Sequence, residues 1–262
     1  MDEATWDPDR YLTFADERSR PFVDLVARIP ARDVRRVVDL GCGPGNLTTM
    51  LARRWPDAAV LGLDASSEMV ARARQEAVPG VRFEVGDLRE WRAEEPVDVL
   101  VSNATLQWVP DHLELLPQLF AQVAPGGWLA VQVPGNFDQP SHVLLRELAA
   151  GPRFVEYVGQ VARPDAHDAQ VYLEALLDLG CRVDAWETTY LHLLQGEDPV
   201  LRWVSGTGAR PVLQGLPDDV REEFLAEYGR RLSEAYPRTP YGTVLPFRRV
   251  FFVAQVPGEV VA

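Results

Sequence analysis

The first apolar run that reads as a buried strand spans residues 34–40, and it stops in the turn Gly41-Cys42-Gly43-Pro44-Gly45-Asn46. Leu47, Met50, Leu51 and Trp55 then recur at helical spacing until Pro56-Asp57 breaks the pattern, and residues 59–63 form a second apolar run. Ser66 is placed to cap a helix over residues 67–76; residues 81–85 and 97–102 read as third and fourth strands. A helical stretch at 112–123, a Pro125-Gly126-Gly127 turn and a strand at 128–133 continue the alternation. Strand and helix in regular succession predict an α/β domain, doubly wound around a mostly parallel sheet.

After residue 133 the rhythm changes. A helix is expected at 141–150, an irregular passage to Asp168, a helix at 171–179 closed by Gly180, a strand within 182–194 and a last strand at 247–256; residues 199–236 read as helical and interrupted. The sheet is thus expected to have seven strands in one domain covering 1–262, with an amino-terminal cap at 1–30 and a core at 31–135. Residues 136–170 and 197–240 are insertions. They follow carboxyl ends of strands, where open α/β sheets bind ligands, so they are expected to form a substrate lid.

Composition narrows the chemistry. The net charge of −13 makes nucleic acid a poor partner, and an anionic substrate must meet a local arginine cluster. Every residue in the Lys+Arg count of 26 is arginine. Without lysine, neither a P-loop nor a pyridoxal Schiff base can be built. Cys42 and Cys181 are too far apart in sequence to outline a disulfide framework or a metal motif, and no metal is expected. An acidic amino end and the absence of an apolar run near the roughly 20 residues of a membrane span lead to the expectation of a cytoplasmic protein with no membrane partner. Nothing in the sequence speaks to oligomeric state.

The sharpest local signal is Asp39-Leu40-Gly41-Cys42-Gly43-Pro44-Gly45. Glycines let the backbone approach a ligand closely, and the start of the next helix offers N–H donors. Asp64 ends the second strand, where a carboxylate can accept from both hydroxyls of a ribose. A nicotinamide dinucleotide also fits that acid, but its third glycine falls at Asn46 here, and Asp87 supplies a further acid after the third strand.

In these features the chain resembles the class I S-adenosylmethionine-dependent methyltransferases. The resemblance implies a Rossmann-like methyltransferase fold and S-adenosyl-L-methionine as cofactor, released as S-adenosyl-L-homocysteine. It implies cofactor contacts from Asp39, Gly41, Gly43, Gly45, Asp64, Asp87, Leu88 and Asn103. The strand-two acid would hold the ribose, and the strand-three acid would meet the adenine amino group with Leu88 beside the ring.

The loop after the fourth strand, Ser102-Asn103-Ala104-Thr105-Leu106-Gln107-Trp108, lacks the Asn/Asp-Pro-Pro-aromatic pattern of nucleobase methyltransferases. It resembles that of the trans-aconitate 2-methyltransferases, and also that of the malonyl-carrier-protein methyltransferases. Likeness to the first family extends to Trp6-Asp7-Pro8, residues 11–15, Arg18-Ser19-Arg20-Pro21, Trp203-Val204 and residues 207–211. It implies a small polycarboxylic acid, trans-aconitate, as acceptor. A protein-carried carboxylate and another small-molecule O-methylation are the alternatives; a dinucleotide oxidoreductase or a binding protein without turnover stands further off.

A carboxylate is ionised at neutral pH, so no general base is expected, only positioning. Arg210, Trp203, Arg18, Arg20, Gln107 and Trp108 are the residues expected to bind the acceptor, the arginines by bidentate pairing. Arg248 and Arg249 precede an apparent core strand and are expected to be structural. Trp6 and Tyr11 are placed to cover the cofactor or to staple the amino end onto the core. Tyr190 and His192 alternate on a strand near the expected pocket, while His112, His142 and His167 lack metal-ligand spacing, and Cys42 is expected to serve packing.

Overall fold

The computed structural model describes residues 15–158 and 164–258, with Ala15–Arg18 described in backbone only. The elements in chain order are α1 (Ala15–Ala27), β1 (Arg36–Leu40), α2 (Thr48–Arg54), β2 (Ala59–Asp64), α3 (Ser67–Gln75), β3 (Val81–Val85), β4 (Val97–Asn103), α4 (His112–Phe120) and β5 (Val123–Pro134). Then follow α5 (Pro140–Ala149), α6 (Val155–Val158), α7 (Ala169–Asp178), β6 (Arg182–Leu194), α8 (Pro199–Ser205), α9 (Arg210–Gly215), α10 (Asp218–Ala235), β7 (Arg238–Thr239) and β8 (Gly242–Gln255).

The strands lie in the order β3-β2-β1-β4-β5-β8-β6. The first five are parallel, and β8 runs antiparallel to both β5 and β6. Seven strands therefore make up the path, the number expected from the sequence. A two-residue eighth, β7, pairs with the start of β8 and was not foreseen. β8 also begins at Gly242, five residues earlier than its apolar pattern suggests, because its first residues pair with the last residues of β6, Leu191 to Leu194.

The central strands are apolar on both faces, as a sheet covered on both sides requires. On one face α4 and α7 bury Leu116, Leu119, Tyr172 and Leu176 against Leu100, Leu129 and Phe252. On the other, α1 buries Phe22 and Leu25 beside Val99, Ala130 and Phe251. The sequence-predicted cap of α3 is present: Met69 N donates to Ser66 Oγ at 3.2 Å. Arg72 and Arg74 in its last turn complement the helix dipole.

α5, α8, α9 and α10 form a separate helical layer with its own apolar cluster, including Leu145, Leu148, Trp203, Phe224, Tyr228 and Tyr236. Both expected insertions contribute to this one layer. Tyr228 Oη donates to Ser141 O at 2.6 Å and Ser141 N donates to Tyr236 Oη at 3.1 Å, which ties the start of α5 to α10. Among the described residues no helix is long and apolar enough to cross a membrane.

Candidate active site

Strand order reverses between β1 and β4, so the crossovers leave in opposite directions and open a crevice at the carboxyl ends of these strands. Register places the chemistry there. Leu40 pairs with Leu63 and with Ser102, and Asp64 pairs with Val85. The turn at Gly41, the carboxylate of Asp64, the bend at Gly86-Asp87 and the side chain of Asn103 therefore share one edge of the sheet.

The glycine turn is held tightly from behind. Gly41 N and Cys42 N both donate to Leu63 O, at 2.7 and 3.0 Å. Gly41, Gly43 and Gly45 have φ of 77°, 54° and 81°, a region in which side chains are strained. A Cβ on Gly41 would meet Thr105 Oγ1 at 2.0 Å, whereas one on Gly43 would meet no atom within 4 Å. The turn thus packs against the β4 loop at one glycine and presents open backbone at the next, the shape of a cradle.

Asp64 accepts from Gly43 N at 2.8 Å through one oxygen and from Ser66 N at 2.9 Å through the other. An ionised carboxylate has about four acceptor positions, so two remain for a pair of ribose hydroxyls. Burial raises its pKa against these two hydrogen bonds, which lower it. Asp39 lies one residue inside the sheet, 2% exposed, and accepts from Thr48 Oγ1 at 2.6 Å. Burial pushes its pKa to about 7, opposed by the Thr48 bond and reinforced by the negative charge of Asp64. Asp87 is more open and is engaged by the guanidinium of Arg89, whose hydrogen bonds hold its pKa below the usual value. Leu88 is buried in the sheet cluster. Cys42 is buried, and burial drives its thiol far above its ordinary pKa, which suits packing.

Across the crevice, the β4 loop is stitched to the glycine turn. Ser102 Oγ donates to Leu40 O at 2.9 Å and Thr105 Oγ1 donates to Gly41 O at 3.3 Å. Ala104 adopts φ of 55°, a strained conformation for a residue with a Cβ; its N–H donates to Gln132 O at 2.8 Å. Gln107 Nε2 donates to Ala104 O at 2.6 Å, locking the Gln107 amide in one orientation.

Beyond this loop a cavity is lined by Asn103, Gln107, Trp108, Asn136, Phe137, His142, Trp203, Thr207, Phe247 and Arg249, among others. Asn103 Oδ1, Gln107 Oε1 and Asn136 Oδ1 are buried there with no hydrogen-bond partner. Buried polar atoms left in this state carry a desolvation cost that a polar ligand removes. Together with the open cradle at Gly43 and the two spare acceptor positions on Asp64, these orphaned atoms fit a sulfonium nucleoside beside a polar acceptor. Burial lowers the His142 pKa to about 4, so its ring is neutral at pH 7.

Of the expected acceptor residues, Asn103's neighbours Gln107 and Trp108, with Trp203, come to this cavity. Arg210 does not line it, because it heads α9, two residues beyond the lining Gly208. Arg20 sits exposed on α1 and also stays outside, its charge reaching Tyr190 instead. The side chain of Arg18, with Trp6 and Tyr11, lies outside the described residues. Arg248 behaves as expected, pairing with Glu187 and Asp168 and donating to Gly135 O at 3.0 Å. Arg249 departs from expectation: it is 6% exposed, lines the cavity and rests 4.4 Å over the Phe247 ring. His142, set aside in the sequence for lacking metal-ligand spacing, is also a lining residue, in the first turn of α5. Tyr190 and His192 are buried, His192 stacked on Trp203 at 4.7 Å.

Residues 37–127 match the model of a family described as a methyltransferase domain. The chain is 56% identical to a trans-aconitate 2-methyltransferase of Streptomyces avermitilis over 95% of this chain and 96% of the relative. It is 51% identical to one of Rhodococcus jostii over 96% and 99%. Among solved structures, Haemonchus contortus phosphoethanolamine N-methyltransferase 2, bound to phosphomonomethylethanolamine and S-adenosylhomocysteine, matches with a TM-score of 0.56 at 17% identity. That alignment covers 91% of this chain and 52% of the other, and the likeness is one of fold.

Proposed function

Since the chain belongs to the trans-aconitate 2-methyltransferase family, we propose that it methylates one carboxylate of trans-aconitate, giving a monomethyl ester and S-adenosylhomocysteine. The observation that carries this reading is the extent of the likeness. At 56% identity it covers 95% of the chain, and so takes in the helical layer on the acceptor side as well as the cofactor-binding half.

S-adenosylmethionine supplies a methyl carbon on a positively charged sulfur; the C–S bond breaks as the carboxylate oxygen forms the new C–O bond, and sulfur keeps the electron pair. The residues at the β1/β4 crevice fit the holding of that nucleoside. Asp64 offers its spare acceptor positions to the ribose hydroxyls, Asp87 faces the adenine side, and Asp39 sets the glycine turn through Thr48. Asn103 and Gln107 present buried oxygens on the acceptor side of the same crevice.

No proton has to be removed from the acceptor, because a carboxylic acid with a reference pKa near 4 is ionised at neutral pH. Rate enhancement then rests on orientation and on exclusion of water. An anion and a sulfonium held in line in a desolvated cavity neutralise each other as the reaction proceeds, which removes solvent reorganisation from the barrier. Trp108, Trp203, Phe137 and Phe247 supply the dry walls.

In this reading the chain is one catalytic domain. Residues 1–30 act as a cap, 31–135 as the cofactor-binding core, and 136–170 with 197–240 as the acceptor-side lid. The free acid is the partner in this reading, and the net charge of −13 speaks against nucleic acid. A cytoplasmic location belongs to the same reading, supported by two free, buried cysteines. The test is methyl transfer from labelled S-adenosylmethionine to trans-aconitate, with malonyl-carrier protein and a phenol in parallel. A base-labile labelled product from the free tricarboxylic acid alone is expected; transfer to the carrier or the phenol alone would replace the assignment.

A further inference from the structure

We propose that the side-chain amide of Gln132 binds the reacting carboxylate of the acceptor, with Nε2 donating to it, a role that rests on the acceptor being a carboxylic acid as proposed above.

Two neighbouring strands carry apolar columns on the face that α1 covers, and both columns end in an amide at the ligand edge. In β4 the column is Val99, Val101 and Asn103; in β5 it is Trp128, Ala130 and Gln132. Register sets Val99 beside Trp128, Val101 beside Ala130 and Asn103 beside Gln132. On its other side Gln132 pairs with Phe251 of β8. Cavity residues border it, because Asn103 stands on the next strand and Pro134 follows two residues on along the same face.

Gln132 is 0% exposed, and among the described residues neither its Oε1 nor its Nε2 has a hydrogen-bond partner. An amide stripped of water at both ends is rare inside a protein, and an apolar side chain of the same size is more stable in such a place. Because no hydrogen bond holds the amide, it turns toward the cavity without breaking one.

Charge decides which ligand group it takes. The other unpartnered amide atoms at this edge, Asn103 Oδ1, Gln107 Oε1 and Asn136 Oδ1, are oxygens, which suit a sulfonium. Among these amides Gln132 supplies the unpartnered nitrogen, and an anion needs an N–H donor. The reacting pair is a cation beside an anion, and Asn103 and Gln132 stand one strand spacing apart, about 5 Å. The nucleoside site lies at the β1/β4 crevice, so β5 is the next strand on the acceptor side. A neutral amide orients the carboxylate without cancelling the negative charge that makes it a nucleophile.

The experiment compares Gln132→Met and Gln132→Glu with the wild type in thermal stability without ligand, S-adenosylhomocysteine affinity and kcat/KM for trans-aconitate. Met removes the amide at nearly the same volume. Since the amide has no partner within the fold, the melting temperature of Gln132→Met should rise by about 2–4 °C. Its kcat/KM should nevertheless fall by about tenfold to a hundredfold, the loss of a hydrogen bond to a charged group. Gln132→Glu keeps size and oxygen but loses the N–H, and its kcat/KM should fall at least as far. S-adenosylhomocysteine affinity of Gln132→Met should stay within about threefold of wild type. A kcat/KM of Gln132→Met within about threefold of wild type would overturn the assignment, as would full turnover by Gln132→Glu. Weakened S-adenosylhomocysteine binding in Gln132→Met would give the amide to the nucleoside instead, and a lowered melting temperature would give it to the fold. Absence of ester from the wild type would overturn the underlying reading of the acceptor.

Discussion

The imidazole of His142 lies directly against the backbone of Gly208: a Cβ at that glycine would stand 2.6 Å from His142 Cε1. Two segments of the helical layer therefore meet at a point where only hydrogen fits, and the ring is pinned in the cavity wall between Gly208 and the Phe137 edge, 5.0 Å away by centroid. Gly208→Ala must displace the ring. Overpacking of this kind typically costs about 1–3 kcal/mol. The KM for trans-aconitate should rise by about tenfold or more, a shift measurable by steady-state kinetics, with S-adenosylhomocysteine affinity unaffected. Equal KM values would show that His142 does not shape the acceptor pocket.

On the proposed reading of the site, Asp39 couples pH to cofactor binding. Its carboxyl, buried and next to Asp64, has its pKa pushed up from the usual carboxylate range to about 7, so the folded chain holds a proton there that the unfolded chain has lost. Between pH 4 and 7 the folded state binds more protons, and this contribution to stability is present at low pH and lost as pH rises through about 7. A sulfonium nucleoside with a positively charged amino group favours the ionised form. Cofactor affinity should thus weaken by up to tenfold per pH unit below about 7, with proton release on binding. Calorimetry in buffers of differing ionisation enthalpy measures both. Asp39→Asn should remove the proton release, and persistence of that release in the variant would point to another group.

Asp64 has two backbone donors and two spare acceptor positions. Asp64→Asn keeps the shape but turns half of the side chain into a donor. Binding of S-adenosylhomocysteine should weaken by about 1–3 kcal/mol, the cost of losing one or two buried hydrogen bonds. An unchanged dissociation constant would place the ribose elsewhere.

Cys42 sits between two glycines of the cofactor turn, yet its thiol is buried with a strongly raised pKa. Cys42→Ala should keep methyl transfer while lowering stability by about 1 kcal/mol. Complete loss of turnover in a folded variant would indicate covalent participation.

The cofactor half of the site was legible in the sequence because its residues are local to strand ends. Asp39 and Asp64 stand at the ends of apolar runs and Asp87 just past the third strand, and a parallel sheet aligns such ends without further information. The acceptor half was not, because it is made by long-range packing. Arg249 lies next to Pro134 only through an antiparallel pairing across more than a hundred residues, and His142 faces Gly208 only once α5 and α8 share a layer. One signal was available: Arg249 alternates with Phe247 and Phe251, so it occupies an inward face where a charge needs a reason. Arg210 was chosen for its neighbours in sequence, and the turn at Thr207-Gly208 directs the chain so that Gly208, and not Arg210, reaches the cavity. The strand β7 is too short to carry any periodicity at all.

The most direct test of the whole account is carbon-13 NMR of the products formed from methyl-labelled S-adenosylmethionine and trans-aconitate. The label should appear in a single methyl ester, in equal amount with S-adenosylhomocysteine. Label on nitrogen or carbon, or S-adenosylhomocysteine formed at the same rate without trans-aconitate, would contradict it.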